Sequence, residues 1–218
     1  NKETALSFVA QLDPSLCKLK VGKEMFTLFG PEFVKTLVSK GFDVFLDLKF
    51  HDIPNTVAKA CKAAAELGVW MVNVHASGGV PMMKAAKEAI ASSSHPQTKL
   101  IAVTVLTSMD QAQLSDVIDN VTPQQQVLRL CKLTQQAGLD GIVCSAQEAQ
   151  VLRQTYTDVF LLVTPGIRPK GADAGDQKRV MTPDEAIDSG VSYLVMGRPI
   201  TKADDPVAVL TSVNHSIA

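Results

Sequence analysis

Short apolar runs alternate with longer helical segments along the whole chain, and this alternation limits the fold more than any other feature. The runs are largely apolar without strict alternation, which is typical of parallel strands covered on both faces. The runs are Leu19–Val21, Val44–Leu48, Met71–Val74, Leu100–Val105, Gly141–Val143, Phe160–Val163 and Tyr193–Met196. Repeated strand–helix units of this kind predict an α/β fold with a parallel sheet.

The segments between the runs carry helical periodicity and helix-boundary residues. In Pro31–Lys40 the apolar side chains form one stripe, and Gly41 supplies a C-terminal stop. Asn55–Leu67 carries a second buried stripe of the same kind. Thr182 is an N-cap candidate with Glu185 three residues later, so a further helix is predicted to begin there.

The composition suits one compact domain over residues 1–218. Hydrophobic residues make up 46% and charged residues 20%, which is ordinary for a globular protein. A formal net charge of -1 gives no basic face for nucleic acid, and no apolar run reaches the ~20 residues that span a bilayer. The four cysteines are far apart, so we expect reduced thiols, no metal site and a cytoplasmic protein.

Two parallel folds compete, an open doubly wound sheet and a closed barrel. The glycine-rich fingerprints of dinucleotide-binding and phosphate-loop proteins are absent. Polar residues instead follow many different strands, which is typical of the site of a (β/α)8 barrel. These residues are Lys20, Asp47, Lys49, His75, Thr107, Arg168 and Arg198. We therefore predict an α/β fold of the (β/α)8 TIM-barrel type, with seven of its eight strands recognisable.

The richest polar segment runs from Asp47 to Thr56. Residues two apart on a strand share a face, so Asp47 and Lys49 are predicted to point together into the barrel mouth. Asp52 follows where the strand turns into its helix, and Lys20 adds a cation at the preceding strand. A lysine between carboxylates stays charged because opposite charges offset the cost of burial. From spacing alone, a structural ion-pair cluster and an active site are equally open.

The C-terminal half favours a site for a phosphorylated substrate. Arg168 and Arg198 follow two late strands, where barrels often bind phosphate, and their forked donors suit that anion. Gly197 would let the backbone approach the phosphate closely. The polar loop 170–177 lies after Arg168, and its place over the mouth predicts a closing lid that contains Gln177. An ordinary solvated loop is the alternative there.

With these motifs in place, the sequence closely resembles the orotidine 5′-monophosphate decarboxylases, especially the bacterial type. The D-x-K-x-x-D core at Asp47–Asp52 is by itself a weaker indication, because related sugar-phosphate barrels share it. The matching stretches are Lys18–Gly30, Phe45–Thr56, Val69–Gly79, Ala102–Met109, Leu139–Gln147, Val163–Pro169 and Val195–Thr201. The resemblance implies a homodimeric (β/α)8 barrel that uses no cofactor and no metal, and that converts orotidine 5′-monophosphate to uridine monophosphate in pyrimidine nucleotide synthesis.

The resemblance also implies roles for individual residues. Lys49 would protonate C6 of the pyrimidine as carbon dioxide leaves, with Asp47 facing the substrate carboxyl group and Lys20 in the same charged network. Asp52 and Thr56 match positions that the family lends to the neighbouring subunit's site. The other matched positions are a pyrimidine contact at Thr107, a lid residue that reaches phosphate at Gln177, and a phosphate grip at Arg168, Gly197 and Arg198.

The start of the chain departs from the family pattern. Family members begin with a strand that ends in an Ala-Leu-Asp-like motif, whereas Asn1–Leu6 looks like the helix that follows this strand. A barrel that lacks one strand would expose two unpaired edges, which soluble proteins avoid. We therefore expect a first strand, with its aspartate, upstream of Asn1.

Two other functions remain open on the sequence. A magnesium-dependent sugar-phosphate lyase of the same barrel group would share the D-x-K-x-x-D core, although the run Phe50–Thr56 and the lid favour the nucleotide enzyme. The second is a catalytically inactive barrel that recognises the phosphate of a nucleotide. Such a protein would bind uridine monophosphate but would not turn over substrate.

Overall fold

The computed structural model describes residues 1–170 and 181–218, and its strands form one parallel sheet in sequence order. The strands are β1 (Leu19–Gly22), β2 (Val44–Phe50), β3 (Met71–His75), β4 (Lys99–Val103), β5 (Gly141–Val143), β6 (Leu161–Pro165) and β7 (Tyr193–Val195). The helices are α1 (Lys2–Val9), α2 (Lys23–Ser39), α3 (Pro54–Ala65), α4 (Gly79–Ala91), α5 (Gln111–Ser115), α6 (Pro123–Gln136), α7 (Ala146–Arg153), α8 (Pro183–Asp188), α9 (Arg198–Thr201) and α10 (Pro206–Ser216). A short 3-10 helix, Ala76–Gly78, separates β3 from α4.

The sheet curls into a barrel, because side chains from distant strands meet in its interior. Phe45 of β2, Ile101 of β4 and Val163 of β6 belong to one buried cluster. Trp70, just before β3, packs edge-on against Tyr193 of β7, with ring centroids 4.9 Å apart. The third and seventh strands of a flat sheet could not make this contact. The predicted α/β barrel is therefore confirmed, and each of the seven predicted strands is present.

β1 and β7 lie at the two edges of the sheet. Within the described ranges, no backbone ladder joins these two strands. The first strand that the sequence analysis expects upstream of Asn1 stays a prediction.

Helices cover the outer face of the sheet. Val44 and Leu46 of β2 are fully buried in a cluster with Leu37 of α2 and Val57 of α3. The apolar stripe that predicted a helix over Pro31–Lys40 lies in the second half of α2. The helix in fact begins eight residues earlier, at Lys23, and it kinks at Gly30, whose φ of 65° interrupts the helical geometry.

The carboxyl end of β2 departs from regular pairing. Leu46 pairs with Val72, but Phe50 pairs with Val74, so residues 47–49 of β2 lie opposite the single residue Asn73 of β3. Lys49 adopts a φ of 53°, in the left-handed region. A residue with a side chain costs about 1–2 kcal/mol there, and such strain is concentrated at functional sites. The bulge therefore marks this strand end for closer examination.

Two further expectations concern the whole chain. All four cysteines are free, as their wide spacing predicted. In the described part of the chain, none of the helices combines the length and hydropathy of a membrane span.

Candidate active site

A cavity of about 210 Å³ lies at the carboxyl ends of the strands, where the sequence predicted the site. Its polar lining comes from Lys20 of β1, Asp47 and Lys49 of β2, and Thr107, which follows β4. The apolar lining consists of Phe45, Val103, Val105, Leu106, Val143, Val163, Pro165 and Val195. Because most of the lining is apolar, the local dielectric constant in the cavity is low, and interactions between charged groups there are stronger than in water.

Asp47 is the centre of a charged cluster that we define as Lys20, Asp47 and Lys49. Lys49 Nζ donates to Asp47 Oδ1 at 2.5 Å, and Lys20 Nζ lies 3.1 Å from Asp47 Oδ2. Only 11% of the Asp47 side chain is exposed, so both ion pairs are shielded from water on one side. Strand periodicity predicted that Asp47 and Lys49 share one space, and the structure places them in contact.

Opposing influences act on the pKa of the Asp47 carboxyl. Burial raises this pKa, whereas the Lys20 and Lys49 ammonium groups and the Asn73 amide lower it by more. The pKa therefore lies below its ordinary value, and Asp47 is a carboxylate at neutral pH. It provides a fixed negative charge that orients two lysines at the cavity.

The residues predicted to grip phosphate have different surroundings. Arg168 is buried after β6, and its Nη1 donates to the carbonyl oxygen of Ile167 at 2.8 Å. Gly197 and Arg198 are exposed after β7, at the beginning of α9. A Cβ added at Gly197 would meet no atom within 4 Å among the described residues, so the space beside its backbone is open. Gln177 lies outside the described residues.

Asp52 and Thr56 lie apart from the charged cluster. Both are exposed, just before and within the first turn of α3. Asp52 Oδ1 accepts a hydrogen bond from the backbone N–H of Ile53 at 2.7 Å. Neither residue belongs to the described lining of the cavity in its own chain. Their side chains therefore face outward, where a second subunit could meet them.

A larger cleft, of about 500 Å³, lies near the amino ends of β6 and β7. Its central residue is Arg153, whose guanidinium donates to the carbonyl oxygens of Gly190, Thr157 and Phe160 and to Ser192 Oγ. The arginine is engaged in joining the loops of the barrel base. The active sites of (β/α)8 barrels lie at the opposite face, at the carboxyl ends of the strands, so the smaller cavity is the better candidate for the active site.

Comparisons with known proteins identify one family. The family model described as "Orotidine 5'-phosphate decarboxylase / HUMPS family" matches residues 1–213. The chain belongs to this family.

Individual orotidine 5′-phosphate decarboxylases match this family member along its full length. The protein of that name from Pseudoalteromonas atlantica (strain T6c / ATCC BAA-1087) is 66% identical over 217 residues, which cover 100% of this chain and 94% of the relative. The one from Vibrio atlanticus (strain LGP32) is 62% identical over 218 residues, with coverage of 100% and 94%. The crystal structure of orotidine 5′-phosphate decarboxylase from Lactobacillus acidophilus matches with a TM-score of 0.87 at 39% identity, covering 99% of this chain and 93% of that chain.

One residue that contacts the charged cluster of this orotidine 5′-phosphate decarboxylase / HUMPS family member, Asn73, was not predicted from the sequence. Asn73 Nδ2 donates to Asp47 Oδ1 at 2.7 Å, and Asn73 is fully buried. The signal was available, because Asn73 is the single polar residue among the first four residues of the apolar run Met71–His75. A buried amide in such a run requires a hydrogen-bond partner.

His75 ends β3 beside the charged cluster. Burial, together with the nearby His51, Lys23 and Lys49, lowers the pKa of its imidazole to about 4, against an opposing effect of Asp47. The His51 and His75 rings are 5.6 Å apart. His75 is therefore a neutral imidazole at physiological pH. In the described ranges, no group of three or more His, Cys, Asp or Glu residues is arranged to hold a metal ion.

Replacing His75 by glutamine is expected to make the free energy of unfolding fall less steeply as the pH is lowered. The imidazole pKa falls from 6.5 to about 4 on folding, so between these values the unfolded chain binds the extra proton. His75 therefore makes stability fall as pH drops through this window, and it has no effect on the slope outside it. Urea unfolding at a series of pH values measures the slope for wild type and His75→Gln, with the exposed His215 of α10, replaced in His215→Gln, as the control. Equal slopes for wild type and His75→Gln would contradict the expectation.

Proposed function

We propose that this chain converts orotidine 5′-phosphate to uridine 5′-monophosphate and carbon dioxide, as one catalytic domain over residues 1–218 that needs no metal or cofactor. The observation that carries the proposal is the charged cluster of Lys20, Asp47 and Lys49 at the cavity. This cluster occurs in a chain that is 66% identical to a relative named for the reaction.

Lys49 supplies both the charge and the proton in the proposed reaction. When the bond between C6 and the carboxylate breaks, its electron pair stays on C6 in an orbital that cannot delocalise into the ring. An ammonium group beside C6 stabilises this charge without reorganisation, because Asp47 already holds Nζ at 2.5 Å. A proton then moves from Nζ to C6, carbon dioxide leaves, and the lysine regains a proton from water.

The remaining residues of the proposed site bind the rest of the nucleotide. Thr107 lines the cavity and would contact the pyrimidine. Arg168, Gly197 and Arg198 would grip the phosphate near the open space beside the Gly197 backbone, and Gln177 would reach the phosphate as a lid residue. Binding energy from a remote phosphate can orient the reacting ring, so its loss is expected to lower turnover as well as affinity.

The proposed enzyme is a cytoplasmic homodimer in which Asp52 and Thr56 reach the neighbouring subunit's site. Their outward position before and in α3 supports this arrangement. Ile53, between them, is 66% exposed, so this surface offers an apolar side chain as well as two polar ones. We propose that the second subunit covers this surface.

Mixing two inactive variants is expected to restore activity if the sites are shared. Each proposed site takes Lys49 from one subunit and Asp52 from the other. A mixed dimer of Lys49→Ala and Asp52→Ala therefore holds one site in which both residues are native. After unfolding and refolding together in equal amounts, the mixture should recover about a quarter of wild-type activity, because half of the dimers are mixed and each has one intact site. Mixing Lys49→Ala with Lys49→Ala,Asp52→Ala is the control. No gain from mixing would contradict the shared site.

Product analysis tests the proposed function against the sugar-phosphate lyase alternative. The purified protein is incubated with orotidine 5′-phosphate in the presence of a chelator, and the products are separated by chromatography. Equal amounts of uridine monophosphate and carbon dioxide are expected. Magnesium-dependent cleavage of a sugar phosphate, with no uridine monophosphate formed, would overturn the proposal, and tight binding of uridine monophosphate without turnover would indicate the inactive barrel.

A further inference from the structure

Asn73 is buried behind the charged cluster and does not belong to the lining of the cavity. It is fully inaccessible, in the middle of β3 between Val72 and Val74. The described lining contains residues from β1, β2, β5, β6 and β7 and from β4 and the segment after it, but it does not contain Asn73. Any effect of Asn73 on a bound substrate must therefore act through another residue.

Both ends of the Asn73 amide are engaged by the bulge in β2. Its Nδ2 donates to Asp47 Oδ1 at 2.7 Å, and its Oδ1 accepts from the backbone N–H of Lys49 at 2.8 Å. A carboxylate can only accept and a backbone N–H can only donate, so this orientation of the amide is the one that satisfies both partners. One side chain thus joins Asp47 and Lys49.

The same hydrogen bonds account for the shape of the strand end. Residues 47–49 lie opposite Asn73 alone, so the backbone N–H of Lys49 has no ladder partner at this point on β3. The Asn73 side chain supplies that partner and holds Lys49 at its φ of 53°. A buried donor left without a partner destabilises the folded state, so this hydrogen bond offsets part of the cost of the bulge.

We infer that Asn73 is a positioning residue for the proposed decarboxylation, because it fixes the Lys49 backbone and the Asp47 carboxylate in one arrangement. This inference rests on the proposed function. It differs from a purely structural role in one respect: the loss of Asn73 changes the catalytic step more than it changes substrate binding.

Asn73→Leu removes both hydrogen bonds while keeping the volume of the side chain similar. It is expected to lower kcat about 10- to 100-fold, because misplacing a catalytic group by about 1 Å has an effect of this size. The KM for orotidine 5′-phosphate should change much less, since Asn73 does not line the cavity. A loss of folding alone would reduce the amount of active protein without changing the KM or the shape of the pH profile.

The pH dependence of kcat distinguishes a positioning role of Asn73 from a purely structural one, which would leave it unchanged. The titratable groups around Asp47 are Lys20 on β1, Lys49 on β2 and, more distantly, His75 on β3. The Asn73 hydrogen bond helps to lower the pKa of Asp47. Its removal should therefore raise that pKa, and the acid limb of the kcat profile should move to higher pH.

Asn73→Asp separates the two hydrogen bonds. It keeps an oxygen that can accept from the Lys49 N–H, but it replaces the donor with a second carboxylate facing Asp47. Like charges raise the pKa of a carboxyl, so the acid limb should move further than in Asn73→Leu. Thr98→Val is the matched control. Thr98, just before β4, is also buried, and its Oγ1 donates to the Val69 carbonyl oxygen at 2.8 Å. The substitution should lower stability and leave kcat and the acid limb unchanged.

The test combines steady-state kinetics with a carbon-13 NMR titration of the Asp47 carboxyl, assigned by its absence in Asp47→Asn. If wild type does not decarboxylate orotidine 5′-phosphate, the proposed function fails, and the titration still tests the effect of Asn73 on Asp47. If wild type is active, a wild-type kcat and acid limb in Asn73→Leu would overturn the inference. Should Asn73→Leu fail to fold, Asn73→Asp and the smaller change Asn73→Ser are measured in its place against the same outcomes.

Discussion

Lys49→Ala is expected to leave the protein folded and to lower kcat by at least about 10⁴-fold, since it removes both a proton donor and an electrostatic stabiliser. The fold should persist because Asp47 keeps its contacts with Lys20 and Asn73. Alanine and lysine both carry a Cβ atom, so the substitution does not increase the backbone strain at residue 49, where φ is 53°. Circular dichroism and steady-state kinetics on the same preparation measure both properties.

Lys87→Ala is the matched control for this prediction. Lys87 pairs with Asp140 at 2.6 Å and its side chain is 32% exposed, whereas Lys49 pairs at 2.5 Å and is 27% exposed. The two substitutions therefore remove ion pairs of similar length, formed by lysines of similar exposure, from one barrel. Only Lys49→Ala should abolish turnover. A folded Lys49→Ala protein with normal activity would remove Lys49 from the mechanism.

Asp47→Asn is expected to lower kcat by roughly 10²- to 10³-fold, because the cavity loses the charge that orients its lysines. Lys20 and Lys49 approach Asp47 from β1 and β2, and a neutral amide cannot hold two ammonium groups at one point. The Asn73 amide also loses its charged acceptor. The measurement is kcat and KM for orotidine 5′-phosphate over a range of pH.

Asp140→Asn controls for the loss of a carboxylate elsewhere. Asp140 Oδ2 accepts from Lys87 and from the backbone N–H of Leu100, so its replacement should destabilise the barrel. Its activity per folded molecule should match wild type. If Asp47→Asn and Asp140→Asn had the same kinetic parameters, Asp47 would be a structural ion-pair partner, the alternative that its spacing in the sequence left open.

The sequence predicted the strands well, because each run is apolar enough to be recognised without its neighbours. The meeting of Asp47 and Lys49 was also predicted, from the two-residue period of a regular strand. The strand is not regular at this point, however, since residues 47–49 lie opposite one residue of β3. The two side chains meet in a bulge. The two-residue period therefore predicted their contact correctly, but it did not predict the irregular backbone that brings them together.

Features that depend on two chain segments were not predictable in the same way. The bulge depends on the register between β2 and β3, which neither strand encodes alone, and Asn73 acquires its importance only in that register. Asp52 illustrates the same limit between subunits. Its side chain is exposed in one chain, so its proposed role depends on how a second copy of the chain packs against it.

The proposed metal-free decarboxylation is tested most directly by the ultraviolet absorbance of orotidine 5′-phosphate after addition of the purified protein, with a chelator present throughout. We expect loss of substrate absorbance with uridine monophosphate as the product, at a rate that the chelator does not change, and we expect no turnover in Lys49→Ala. Turnover that stops on chelation, or turnover that persists in folded Lys49→Ala, would contradict it.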